Sequence, residues 1–401
     1  MNFLKSKKEF LCPENAELAK KLKNAGNVRK ICLIGGKLQG VEAAYLAKEA
    51  GFYVVLVDRK ETAICKCFAD DFECFDVIKE PERLIELSSL VDFVLPVNEE
   101  PETISFLETI AGKLRCCLLF DFDAYRISCD KIRSKEFFRK VNVPTPADRP
   151  ETPPFFIKPK GESGSIGARI VETKEELASV PEGYLIEEYI PGPIVSLEMI
   201  GNGRNYIVVK ETYVHIDDVY DCCQVTPLLH NPEYRDIAYR LSEGIGLRGI
   251  MDVEAIDSPR GLKVLEIDAR FPSQTPICVY YSCGVNLLAL LAESADPDFG
   301  VNPEKNIAAA TNPRYKDTYG ILEHVTFGKD GELVSGGEHL ISAGTSLRMY
   351  YSDRSIPLEI LECSRPDGYR AYTIICAGKD KDDAAKIRAK AFDLIRNGVP
   401  E

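Results

Sequence analysis

Residues 249–276, GIMDVEAIDSPRGLKVLEIDARFPSQTP, read as two strands joined by a turn at Asp257-Ser258-Pro259-Arg260-Gly261, with Pro and Gly where a tight connection wants them. Side chains alternate faces along a strand, so Asp252 and Glu254 share one face. By the same rule Glu266, Asp268 and Arg270 share one face of the return strand, with Val264, Leu265 and Ile267 as apolar context. Four carboxylates and a guanidinium then converge on one small patch. Carboxylates at that density repel unless cations neutralise them, and hard oxygen ligands with few histidines nearby point to magnesium. The bland alternative is the acidic solvent face of an ordinary hairpin. Magnesium beside an arginine indicates phosphate chemistry.

A chain of 401 residues is too long for one simple core and suggests two or three lobes. Its net charge of -13 argues against a nucleic-acid partner, which needs a basic surface. No apolar run is long enough to cross a bilayer, so no membrane role is expected. The opening MNFLKSKKEF carries charge without a following apolar segment, unlike a secretory signal. Fourteen cysteines lie in apolar strands or adjacent pairs without CxxC spacing. They read as reduced thiols of a cytoplasmic protein, and a zinc site is not expected.

The expected fold class is α/β followed by α+β. Residues 1–27 form a Lys-rich, helix-prone extension (ENAELAKKLKNA) outside the catalytic fold. Residues 28–123 follow a Rossmann-like pattern: the strand KICLIGG, the helix VEAAYLAKEA ended by Gly51, the strand FYVVLVD closing at Asp58, then VDFVLPVNE and CCLLFDF. Residues 124–200 form a smaller lobe, entered through the proline-rich linker VPTPADRPETPP, with strands FFIKPK, ARIVE, YLIEEYI and VSLEMIG. Residues 201–401 form the large lobe, with helices near 233–244 and 284–294 and a final polar helix, DKDDAAKIRAKAFDLIRNG.

GGKLQG at 35–40 follows a strand and opens a helix, yet Lys37 stands where a dinucleotide fingerprint needs glycine. A bound NAD is therefore not expected. The loop still lies at the carboxyl end of a parallel strand, where Lys37 can meet an anion and Glu99 an ammonium group. Lys158, on an apolar strand, feeds a loop containing Gly161, Gly164, Ser165 and Gly167, an arrangement that can cover a triphosphate. Lys131 adds a second cation at a helix start, and Glu187-Glu188-Tyr189-Ile190 can hold an adenine through backbone groups. Each signal alone is also compatible with a hairpin, a surface charge or an edge strand.

In the order Lys131, Lys158, Gly-rich loop, EEYIPG, Glu254, Glu266, Asp268, Arg270, the motifs resemble the ATP-grasp ligases over roughly residues 28–400. ICLIGGKLQG, LFDFDAYRIS, KETYVHID, YDCCQVTPL and GIMDVEAI…EIDARFPSQTP are most similar to the branch of that superfamily serving pyrrolysine biosynthesis. That branch joins 3-methyl-D-ornithine to the ε-amine of L-lysine. Asp268, where most ATP-grasp ligases carry Asn, agrees with it, whereas Ile194 stands where many relatives carry an acidic ribose ligand.

The resemblance implies an ATP-grasp fold, ATP and magnesium as cofactors with two ions bound, and amide formation through an acyl phosphate. It implies Arg270 and Lys158 as catalytic groups and Glu254, Glu266 and Asp268 as metal ligands. Nucleotide contacts are assigned to Lys37, Asp58, Asp76, Val77, Lys131, Lys158, Ser165, Glu187, Glu188, Tyr189 and Ile190. The ornithine pocket is assigned to Ser196, Leu197, Glu198, Asp252, Arg270, Ser273 and Glu323, and the lysine site to Leu38, Gln39 and Glu99. His215 and His230 are candidate bases, though each reads more readily as a structural hydrogen-bonder. A methyl group in an apolar pocket is worth only about 1–3 kcal/mol, so unmethylated D-ornithine is expected to serve too. A homodimer is compatible with the resemblance.

Overall fold

A computed structural model describes residues 13–160, 167–328 and 330–398. Three sheets organise them. The first is parallel, built from β1 (Lys30–Ile34), β2 (Tyr53–Asp58), β3 (Asp71–Cys74), β4 (Phe93–Pro96) and β5 (Cys117–Leu118), in the order β3-β2-β1-β4-β5. Its central strands are continuous apolar runs because both faces are covered, as parallel sheets require. Helix Leu38–Glu49 packs closely on the β1 turn: a Cβ on Gly40 would sit 2.5 Å from the Gly35 carbonyl oxygen.

The second sheet is small and antiparallel, with β6 (Phe155–Pro159), β7 (Arg169–Val171) and β8 (Tyr184–Glu188) in the order β7-β6-β8. The third has ten strands: β9 (Ile194–Asn202), β10 (Tyr206–Ile216), β11 (Cys222–Pro227), β12 (Arg248–Ser258), β13 (Gly261–Asp268), β14 (Tyr319–Phe327), β15 (Leu333–Ser335), β16 (Ser346–Asp353), β17 (Leu358–Ser364) and β18 (Arg370–Gly378). Nine of them run β13-β12-β9-β10-β11-β14-β18-β17-β16, and β15 pairs with β14. One face of this sheet packs on helices Pro232–Ile245 and Lys381–Asn397. Its other face shares a core with helices Leu38–Glu49, Thr275–Cys283 and Leu287–Glu293, which joins the first lobe to the large sheet.

Several expectations change. Helix Pro13–Asn24 is no appendage, since Leu18 and Leu22 are buried in the first-lobe core and Lys21 pairs with Asp71 at 2.5 Å. The strand expected at 116–122 is only Cys117–Leu118, because Asp121 caps a helix by accepting the Ala124 N–H. β3 was not foreseen. The boundary expected at residue 200 falls inside β9, a strand of the large sheet. The helix expected at 284–294 is Leu287–Glu293, preceded by a separate helix Thr275–Cys283 that stops at Gly284, where φ is +77°. No helix among the described residues is long and apolar enough to cross a membrane, and every cysteine described is free.

Candidate active site

The β12–β13 register sets Asp252 opposite Asp268 and Glu254 opposite Glu266. β9, on the other side of β12, sets Glu198 beside Asp252 and Ser196 beside Glu254. Five carboxylates thus lie in adjacent rows on one sheet face, although like charges directly across strands are unfavourable. Burial, followed by Glu266 and Asp268, pushes the Glu254 carboxyl well above its usual range, and burial and Asp268 do the same to Asp252. Glu266 is raised by burial and Asp268, while Lys158, Lys131 and Arg270 pull it back. Arg270 lies just past the end of β13, with its guanidinium 2.9 Å from Asp268 Oδ2 and 3.3 Å from Glu99 Oε1. A patch of hard oxygen donors with surplus negative charge and cations at its rim fits divalent magnesium.

Next to it is a cluster of buried polar groups. Ser196 Oγ and Asp252 Oδ1 are buried without a hydrogen-bond partner, and the buried Glu198 carboxyl has only the Thr275 hydroxyl beside it as a side-chain donor. Burial lifts the Glu198 carboxyl to about 7. Buried acceptors of this kind are costly unless a ligand supplies donors. Leu197 points to the opposite sheet face, into the core under helix Pro232–Ile245, and supports the pocket from behind.

The small sheet adds cations. Lys158, on β6, reaches Glu187 on β8 at 3.0 Å, and the other Glu187 oxygen lies 2.6 Å from Lys135. Lys135 escaped the sequence reading. It lies one turn after Lys131 on helix Lys131–Lys140 and is buried between Glu187 and Asp148. Glu188 turns away to Arg260 at 2.6 Å, Tyr189 follows β8 half-buried, and Ile190 is buried. Ser165, with Gly161 and Gly164, lies outside the described residues.

A cavity of about 1090 Å³ opens at the carboxyl edge of the first sheet. Lys37, Leu38, Gln39, Asp58, Asp76, Val77 and Glu99 all line it, together with Ser273. The expected nucleotide contacts therefore divide in two: one set lies here, and the other lies with the small sheet. Asp58 is already engaged, accepting the backbone N–H groups of Gly36 and Lys60 at 2.7 Å each. Gln39 donates to Glu99 at 2.9 Å, which places Glu99 between this cavity and Arg270. Glu338 also lines the cavity and accepts a hydrogen bond from Gln274. It too was missed, because it sits in a loop without periodic signal.

Glu323 is not brought to the pocket. Val225 of β11 pairs with Leu322 on the pocket face, so the neighbouring pair, Gln224 and Glu323, points to the other side. There Glu323 binds the Arg388 guanidinium and accepts from Ser335 at 2.6 Å. His215 lies on that same side, since it pairs with Gln224, and it contacts Thr226 at 3.0 Å. His230 is more than half exposed beside Glu211. Neither histidine faces the carboxylate rows.

An ATP-grasp domain profile matches residues 128–274. The 3-methyl-D-ornithine–L-lysine ligase of Methanosarcina acetivorans is 50% identical over 370 residues, 92% of this chain and 98% of that protein. The ligase of the same name from Methanosarcina mazei is 46% identical over 371 residues, 92% of this chain and 96% of that protein. Among solved structures, the biotin carboxylase domain of Hydrogenobacter thermophilus 2-oxoglutarate carboxylase superposes with a TM-score of 0.63. It is 19% identical and covers 87% of this chain and 86% of that one, a likeness of fold.

Proposed function

This chain belongs to the family of 3-methyl-D-ornithine–L-lysine ligases, built on the ATP-grasp fold, and we propose that it carries out their reaction with the groups described above. It is an ATP-dependent ligase that forms an amide bond. The carboxylate of 3-methyl-D-ornithine takes the γ-phosphoryl group of ATP, giving an acyl phosphate and ADP. The lysine ε-amine then attacks the activated carbonyl, and phosphate leaves. A free carboxylate cannot do this at neutral pH, because its leaving group would be oxide.

The observation that carries the substrate assignment is the buried Glu198–Asp252 pair. A diamino acid brings two ammonium groups, six N–H donors in all, to a cluster whose buried carboxyls have few donors of their own. Arg270, held between Asp268 and Glu99, is the group that binds the carboxylate end and then the oxyanion of the tetrahedral intermediate. Lys131 and Lys158 neutralise phosphate oxygens, and Glu187 fixes Lys158 in place. Glu254, Glu266 and Asp268 would hold magnesium, two ions in this reading, and a bound ion there supplies charge neutralisation for phosphoryl transfer. Tyr189 and Ile190 follow β8 at the adenine site. Leu38, Gln39 and Glu99 receive lysine from the first-lobe cavity, where Lys37 offers an anion contact and Asp58, Asp76 and Val77 line the same space.

A carboxylating activity of the biotin carboxylase kind, or a non-catalytic nucleotide sensor, fits less well. The near full-length relatives are ligases, and the carboxylase likeness is one of fold alone. Mass spectrometry of products from ATP, magnesium, L-lysine and D-ornithine decides the matter. Ornithyl-N6-lysine with stoichiometric ADP is expected. Phosphate release with bicarbonate, and none with the two amino acids, would overturn the reading.

A further inference from the structure

Lysine reaches an active site as an ammonium ion, with a solution pKa near 10.4, and cannot attack until it loses a proton. We propose that Glu338 is the general base that takes this proton from the lysine ε-ammonium group. The assignment rests on the ligase reading above and goes beyond it by naming a group for the proton-transfer step.

The geometry comes first. Glu338 lines the same cavity as Leu38, Gln39, Glu99 and Ser273. Gln39 in the cavity wall donates its amide nitrogen to Glu99, and Gln274, next to the cavity-lining Ser273, donates its own to Glu338. The Oε1 atoms of both glutamines are buried and have no donor. Glu99 and Glu338 thus bring two carboxylates to one wall of the cavity, each fixed by a glutamine amide, and an ammonium group is three donors with no acceptor. Gln274 is held at φ +83°, a conformation uncommon for a residue with a side chain, so its placement is specified at some conformational cost.

Of the two carboxylates, Glu99 lies 3.3 Å from the Arg270 guanidinium and is committed to that ion pair. Glu338 is held by a neutral amide, that of Gln274. Burial raises its carboxyl to about 7, with Asp221 and Glu99 adding to the rise, while the Gln274 hydrogen bond and Arg270 oppose it. Glu42 and Glu254 face it from the first-lobe helix and from β12. A carboxylate tuned near the working pH suits general-base catalysis. The step balances: the Glu338 carboxylate accepts one ammonium proton, and the freed lone pair forms the C–N bond. The C–O bond to phosphate then breaks, and the second nitrogen proton leaves with the phosphate.

The test uses a nucleophile that needs no base. Hydroxylamine is neutral at pH 7 and traps an acyl phosphate as the hydroxamate. With ATP, magnesium and D-ornithine, Glu338→Gln is expected to lower kcat for lysine by about 10²–10⁴-fold while hydroxamate continues to form. The rise of kcat with pH through about 7 seen with lysine is expected to vanish in Glu338→Gln and to return in Glu338→Asp. Equal losses with lysine and hydroxylamine would overturn the proposal and make Glu338 a residue that shapes the site. A lysine-only loss in His339→Gln, with Glu338→Gln active, would give the role to the neighbouring His339–Asp221 pair instead. A wild-type enzyme that makes no hydroxamate from D-ornithine would sink the ligase reading itself, a result distinct from either of these.

Discussion

The Glu42 carboxylate, carried by the first lobe, accepts the backbone N–H of Ile277 at 2.8 Å and so caps a helix of the large-sheet lobe. That helix begins at Thr275, directly after Ser273, which lines the first-lobe cavity, and Gln274, which donates to Glu338. The lobes are thereby joined at the segment proposed to hold both amino acids. Glu42→Ala leaves the start of this buried helix without its acceptor, so a loss of about 1–2 kcal/mol in stability is expected in urea titrations. In steady-state kinetics the KM for D-ornithine is expected to rise more than the KM for ATP. Equal rises would mean that the cap serves folding alone.

Glu266→Gln removes one charge from a crowded row in which Glu254 and Asp268 are neighbours. ADP formation is expected to fall by about 10²–10³-fold or more, as for loss of an electrostatic contact to a reacting phosphate. The folded protein without magnesium should become more stable, because a repulsive pair is gone. Thermal melts with and without magnesium separate these effects. A variant with undiminished turnover would rule out the metal assignment.

Glu99→Gln tests the lysine site. The glutamate links Gln39 in the first-lobe cavity to Arg270 beside the carboxylate rows. Its neutral variant is expected to raise the KM for lysine more than that for D-ornithine. Equal changes would move the lysine pocket elsewhere.

The hairpin at 249–276 was legible because a side-chain period of two operates within one pair of adjacent strands, and the observed register keeps Asp252, Glu254, Glu266 and Asp268 together. Glu323 was misplaced for the complementary reason. The register shifts in β10 between Val208 and Glu211 and again between His215 and Ile216. Each irregularity breaks the count of faces between β9 and β14. Helix Thr275–Cys283 was hidden by its own composition, since ICVYY favours a strand locally, and Pro276 with a capping carboxylate from another lobe decides otherwise. Glu338 had no periodic neighbours from which a face could be inferred.

The correction at Glu323 has its own consequence. Its carboxylate is buried and paired with Arg388 on the sheet face away from the pocket. Glu323→Gln is expected to leave the KM for D-ornithine unchanged and to cost roughly 1–3 kcal/mol of stability, measured by urea denaturation. A large rise in that KM at unchanged stability would restore Glu323 to the ornithine pocket.

Stability should also depend on pH through three buried carboxyls. Burial raises Glu42 to about 8 and Glu198 and Glu338 to about 7, from an ordinary value of 4.5. Between the ordinary and raised values the folded protein keeps protons that the unfolded chain has released. The contribution is therefore complete below the ordinary value and is lost as pH rises through about 7 to 8. The melting temperature of the ligand-free protein is expected to fall across that window. D-Ornithine places ammonium groups against Glu198, favours its ionised form and should flatten the decline. Glu198→Gln should flatten it without ligand. A slope unaffected by both would show that Glu198 does not face the amine of the substrate.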